Sequence, residues 1–70
     1  MTEETIRRVV GKALGVGPEH VRLERPRPGH FVVRVHSFTS PAQMARIALE
    51  LDRRAAPGVV FSIEQDPKEG

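Results

Sequence analysis

The chain contains no cysteine, no tryptophan and no tyrosine, and of its eleven basic residues only Lys12 and Lys68 are lysine. Without cysteine there are no disulfide staples and no thiolate metal centres, which fits a reducing compartment. Three phenylalanines are the whole aromatic complement of 70 residues, so the amphipathic rings that dominate binding hot spots are scarce. No apolar run approaches the roughly 18 residues of a membrane span. The opening Met1-Thr2-Glu3-Glu4 is polar and acidic, unlike the basic and apolar start of a secretory signal or transit peptide. These absences predict a cytoplasmic protein without a membrane partner.

Charge is nearly balanced: the formal net charge is +2 although the sequence pI is about 9.9. The preference for arginine supplies planar forks suited to carboxylates and phosphates, and it equally follows from coding composition or a heat-adapted surface. Seventy residues make one small domain, 1–70, with a thin stability margin.

The periodicities run helical, alternating, alternating, helical, alternating. A first helix is expected from about Glu3 to Leu14, capped by Thr2, with Glu3 and Glu4 at the positive end of its dipole. Ile6, Val9, Val10, Ala13 and Leu14 form its apolar stripe. Gly11 costs about 1 kcal/mol relative to alanine in a helix interior and reads as tolerated rather than required. Gly15 suits a left-handed C-terminal cap with Val16 as the apolar contact, and Gly17-Pro18 stops the helix.

Two strands follow. Val21 and Leu23 alternate with polar residues, and Phe31, Val33 and Val35 alternate with Val32, Arg34 and His36. Pro26-Arg27-Pro28-Gly29 between them reads as a hairpin turn with a bulge. Matching inward residues sets Leu23 against Val33 and Val21 against Val35, and places His20 opposite His36 on the outer face. A second helix starts at Ser40 with a capping box to Gln43 and Pro41 at its first position. Its stripe is Met44, Ile47, Ala48, Leu51 and Ala55. Pro57-Gly58 ends it, and Val59, Phe61 and Ile63 alternate through a third strand, followed by a polar tail from Gln65 to Gly70 that is expected to fray.

The order αββαβ predicts an α+β, two-layer sandwich. Two helices cover one face of a mixed three-stranded sheet, with a right-handed crossover through the second helix. The element order resembles type II KH domains, which bind single-stranded nucleic acid, and BON-type domains, small non-enzymatic modules of envelope and ring-forming proteins. Both resemblances rest on element order across most of the chain. The GxxG loop of KH domains is missing, because Gly11 and Gly15 have the wrong spacing. The BON-like glycines after the second strand are also missing, since Val35-His36-Ser37-Phe38 stands there. No functional residue therefore carries over from either.

Candidate chemistry is sparse. His20, His30 and His36 are the only imidazoles, too few for a zinc site unless carboxylates join them. Ser37, Thr39 and Ser40 lie near His36, but capping accounts for Ser40 and no orienting carboxylate is apparent. No catalytic, cofactor-binding or metal-binding residue is assigned, and no cofactor is expected. The chain reads as a non-enzymatic protein-interaction or assembly module. Its thin core and unpaired sheet edges predict a homo-oligomer, most simply a two-fold dimer. The alternative is single-stranded RNA or DNA binding through the arginine-rich hairpin and outer sheet face. Arg22, Arg25, Arg27, Arg34 and His36 are the candidate partner-binding residues for either role. The phenylalanines lie in or near the core pattern, so none is offered for base stacking.

Overall fold

A computed structural model describes residues 2–67. Its elements are α1 (Glu3–Leu14), a single 3-10 turn (Pro18–His20), β1 (Arg22–Arg27), β2 (His30–Val35), α2 (Pro41–Arg54) and β3 (Val60–Gln65). The sheet order is β1-β2-β3. β1 and β2 pair antiparallel, with Arg22 opposite Arg34 and Leu23 opposite Val33. β2 and β3 run parallel, with Phe31 beside Phe61 and Val33 beside Ile63. The α+β sandwich, the mixed sheet and the αββαβ order match expectation.

The caps form as the residue types dictate. The Thr2 hydroxyl accepts from the Thr5 N–H at 3.2 Å. Ser40 accepts from the Gln43 N–H, and the Gln43 side chain returns a bond to the Ser40 N–H, each at 3.2 Å. Ile6, Val10, Val33, Val35, Ile47 and Leu51 are fully buried, joined by Val21 and Phe31. Val9, Leu14, Leu23, Met44, Phe61 and Ile63 pack against them while remaining partly exposed. The stacked Phe31 and Phe61 rings, 5.6 Å apart, tie β2 to β3.

Four details depart from the sequence reading. β1 continues through Pro26 to Arg27, so the hairpin turn is Pro28-Gly29 alone, and the bulge lies within β1 between Glu24 and Arg27. Proline is tolerated there because β1 is an edge strand and the bulge has already interrupted the ladder. Gly11 is required: a Cβ on it would sit 2.7 Å from the Val16 carbonyl oxygen, which belongs to the turn closing α1. Val32, on the face away from the helices, is only 5% exposed. Glu24 and Ser62 flank it across the ladder, and on the same face Arg34, two residues along β2, reaches across to pair with Glu24, so that the arginine stem covers apolar surface. Gln65 is still in β3, and its amide donates to the Ser37 and Thr39 carbonyls at 2.7 and 2.9 Å. The expected fraying therefore does not begin at Gln65, and residues 68–70 of the polar tail lie outside the described residues.

Two substitutions test this packing. Leu51→Ala, at a fully buried site, is expected to cost about 2–5 kcal/mol in urea unfolding. Gly11→Ala improves helix propensity by about 1 kcal/mol but drives a methyl group into backbone. A net loss of about 1–3 kcal/mol is expected, and a gain in stability would show that the α1 turn yields freely.

Candidate interaction site

The five candidate residues separate to opposite ends of the hairpin. Arg22, Arg34 and His36 come together around a groove where β2 ends. Arg25 and Arg27 lie near the Pro28-Gly29 turn at the other end, both exposed. The two sheet arginines are engaged within the molecule: Arg22 is ion-paired with Asp66, and Arg34 with Glu24. The hydrogen bond to Glu24 and that carboxylate's charge raise Arg34 above its ordinary value. These two positive charges are therefore locally balanced rather than offered to a ligand. Arg25 and Arg27 form no ion pair among the described residues. Arg25 does lie over the Phe31 ring, 5.7 Å from its centroid, so Arg27 is the less constrained of the two.

The groove is an open concavity of about 650 Å³. Leu14, Val16, Val21 and Val35 provide its apolar surface, and His20, His36 and the Arg22–Asp66 pair stand around it. Sequence pairing set His20 opposite His36 on strands; instead His20 belongs to the 3-10 turn, and the two histidines meet the groove from different elements. Phe38 is the residue the sequence reading misplaced. It is 80% exposed at the groove, with its ring stacked on His36 at 5.2 Å. The reason is local. His36–Ser40 form the turn between β2 and α2, where the Thr39 N–H donates to the His36 carbonyl at 3.0 Å. Within that turn Thr39, not Phe38, is the buried side chain. The signal available in the sequence was that Phe38 falls outside both the strand alternation and the helix stripe.

The site offers little chemistry beyond binding. The His36 Nδ1 accepts from the Phe38 N–H at 3.1 Å, and Ser40 is occupied in the α2 cap. His30 faces Ser62 at 2.9 Å on the outer sheet face. Among the described residues no group of three His, Asp or Glu side chains could hold a metal ion. No helix among them is long and apolar enough to cross a membrane.

A second, smaller depression lies between the helices, lined by Val9, Lys12, Ala13, Arg46, Glu50 and Arg54. There Arg54 donates to Glu50 at 2.6 Å and Arg53 approaches at 3.5 Å. The Arg54 hydrogen bond, then the charges of the nearby arginines, hold the Glu50 carboxyl below its ordinary value of 4.5. A depressed folded value stabilises the fold above the unfolded value and loses that stabilisation as pH falls through the folded one. The melting-temperature difference between wild type and Glu50→Gln is therefore expected to be constant above the ordinary carboxylate range and to shrink as pH falls below it. A difference that grows on acidification would contradict the pairing.

Comparison with protein families, curated proteins and solved structures finds no match. The likeness to type II KH and BON-type domains is one of element order alone.

Proposed function

We propose that the protein is a non-enzymatic interaction and assembly module that docks an apolar protein segment in the groove at the Val35 end of the sheet, anchored by Phe38. The observation that carries this reading is the 80% exposure of Phe38 beside an apolar groove. An exposed phenylalanine gains about 1.5–3 kcal/mol when a partner covers it. Its stack on His36 limits the rotamers it has to surrender on binding. The adjacent arginines are paired with carboxylates, so the groove presents an apolar anchor with a polar rim rather than a cationic track. That arrangement suits protein partners.

One feature favours a second reading. The His36–Phe38 stack is also a platform of the kind on which bases stack in single-stranded nucleic acid, and Arg25 and Arg27 could follow its phosphates.

Selection from a random peptide library separates the two. Wild type is expected to enrich peptides with a large apolar residue, whose binding persists at high salt and weakens about tenfold or more in Phe38→Ala. Circular dichroism should show Phe38→Ala folded, since the ring is outside the core. Enrichment unaffected by Phe38→Ala would exclude the groove. Binding of single-stranded RNA or DNA that falls steeply with salt, and is lost in Arg25→Glu with Arg27→Glu, would replace the protein-docking reading with the nucleic-acid one.

A further inference from the structure

Among the described residues both edges of the sheet are unpaired, and they are unlike. β1 carries Pro26, which has no N–H to donate, a bulge, and arginines at positions 22, 25 and 27. These are the devices that blunt an edge against strand addition. β3 has none of them: Val60-Phe61-Ser62-Ile63-Glu64-Gln65 contains no proline, no basic residue and no bulge.

The hydrogen-bonding phase of β3 is set by its ends. The Val60 N–H donates to the Gly29 carbonyl at 2.8 Å, and the Asp66 N–H to the Val35 carbonyl at 2.9 Å. In a parallel ladder alternate residues bond to the same neighbour. The even-numbered residues therefore face β2, while Phe61, Ile63 and Gln65 direct their N–H and C=O groups at the empty edge. Phe61 and Ile63 are also the two partly exposed apolar side chains on the helix-covered face of this strand.

We infer that a second copy of this chain pairs with β3 in antiparallel register about a two-fold axis at Ser62, joining two sheets into one of six strands. This deepens the assembly half of the proposed function. Directly opposed residues of an antiparallel pair share a face. Centring on Ser62 sets Phe61 against Ile63 of the second copy and the reverse, each pair exchanging both backbone bonds. A slip of one residue would bring inward side chains against outward ones. Centring on Ile63 would oppose Phe61 to Gln65, whose amide is engaged with Ser37 and Thr39. Centring on Phe61 would oppose Ile63 to Val59, which lies outside β3 with its N–H bonded to the Ala56 carbonyl at 3.1 Å.

The helix beside this edge is suited to the same partner. Arg46, Glu50 and Arg54 line the depression against α1, so the opposite flank of α2 overhangs the free edge of β3. At about 100° per residue, that flank carries Met44, Ala45, Ala48 and Asp52. The two alanines in the middle of that flank let the α2 helices of two copies approach closely. Interfaces of standard size cover about 800 Å² per partner, a substantial fraction of a molecule whose whole surface is 4868 Å². A strand edge alone is too narrow for this, so the α2 flank belongs to the interface.

The absence of cysteine makes the register directly testable. Across the axis the two Ser62 residues form a non-hydrogen-bonded pair with Cα atoms about 4.5 Å apart, within the roughly 4.4–6.8 Å that a disulfide spans. Mild oxidation of Ser62→Cys is expected to convert most of the protein to a covalent dimer. Val60→Cys should not crosslink to its own copy, since at about 3.4 Å per residue the two sites lie about 14 Å apart. A mixture of Val60→Cys and Glu64→Cys should crosslink as a mixed pair. Ala45→Glu with Ala48→Glu, confirmed folded by circular dichroism, should raise the dimer dissociation constant at least tenfold by sedimentation. A wild-type dimer whose Ser62→Cys form crosslinks no faster than Val60→Cys overturns this register and leaves assembly standing. A monomer up to millimolar concentration overturns both, and the Phe38 groove stands or falls separately on peptide selection.

Discussion

Strand β2 makes both sheet contacts, antiparallel to β1 and parallel to β3, and nearly every other feature depends on how it is covered. Phe31, Val33 and Val35 are buried beneath the helices, and Val32 is buried on the opposite face. A central strand apolar on both sides resists register slippage, because a slip would exchange a well-packed valine for a charged neighbour. α1 and α2 contribute Ile6, Val10, Ile47 and Leu51 to the same cluster. With so few fully buried side chains, the loss of any one of them removes a large share of the net stability.

The parts of this arrangement that were legible in the sequence are those governed by local chemistry. Thr2, Ser40 and Gln43 cap helices because their side chains reach orphan N–H groups whatever the tertiary context. Leu23 against Val33 follows from matching apolar faces. What was not legible depended on neighbours distant in sequence or on the path of a turn. Gly11 reads as a tolerated helix glycine until the chain returns with the Val16 carbonyl against it. Val32 looks exposed by alternation, yet its polar neighbours bury it. Phe38 looks like a core residue by composition, yet the turn buries Thr39 in its place. Arg22 and Arg34 were legible as surface arginines, but their pairing with Asp66 and Glu24 required the register of all three strands.

That pairing shifts the balance among possible partners. The count of basic residues suggests an anion-binding surface, but two guanidinium groups on the sheet already meet carboxylates. Exposed ion pairs contribute little to stability, about 0–1 kcal/mol each. Their larger consequence here is to reduce the positive field of the outer face. The positive charge without a carboxylate partner on the hairpin is displaced to the turn end, away from the groove where β2 finishes. Positive charge without a carboxylate partner then marks the turn end and apolar exposure the groove end, where Phe38 is its largest instance.

The groove and the β3 edge are joined through one residue. Gln65 presents its backbone to the free edge while its side chain holds the Ser37 and Thr39 carbonyls on either side of Phe38. Asp66, the next residue, is paired with Arg22 at the groove. A contact that fixes Gln65 therefore also fixes the turn that carries Phe38. A two-fold pairing along β3 leaves both grooves open, because they lie where β2 ends rather than on the paired edge. An assembled pair would thus present two Phe38 anchors, and a partner with two apolar segments would gain by effective concentration what a single small groove cannot provide.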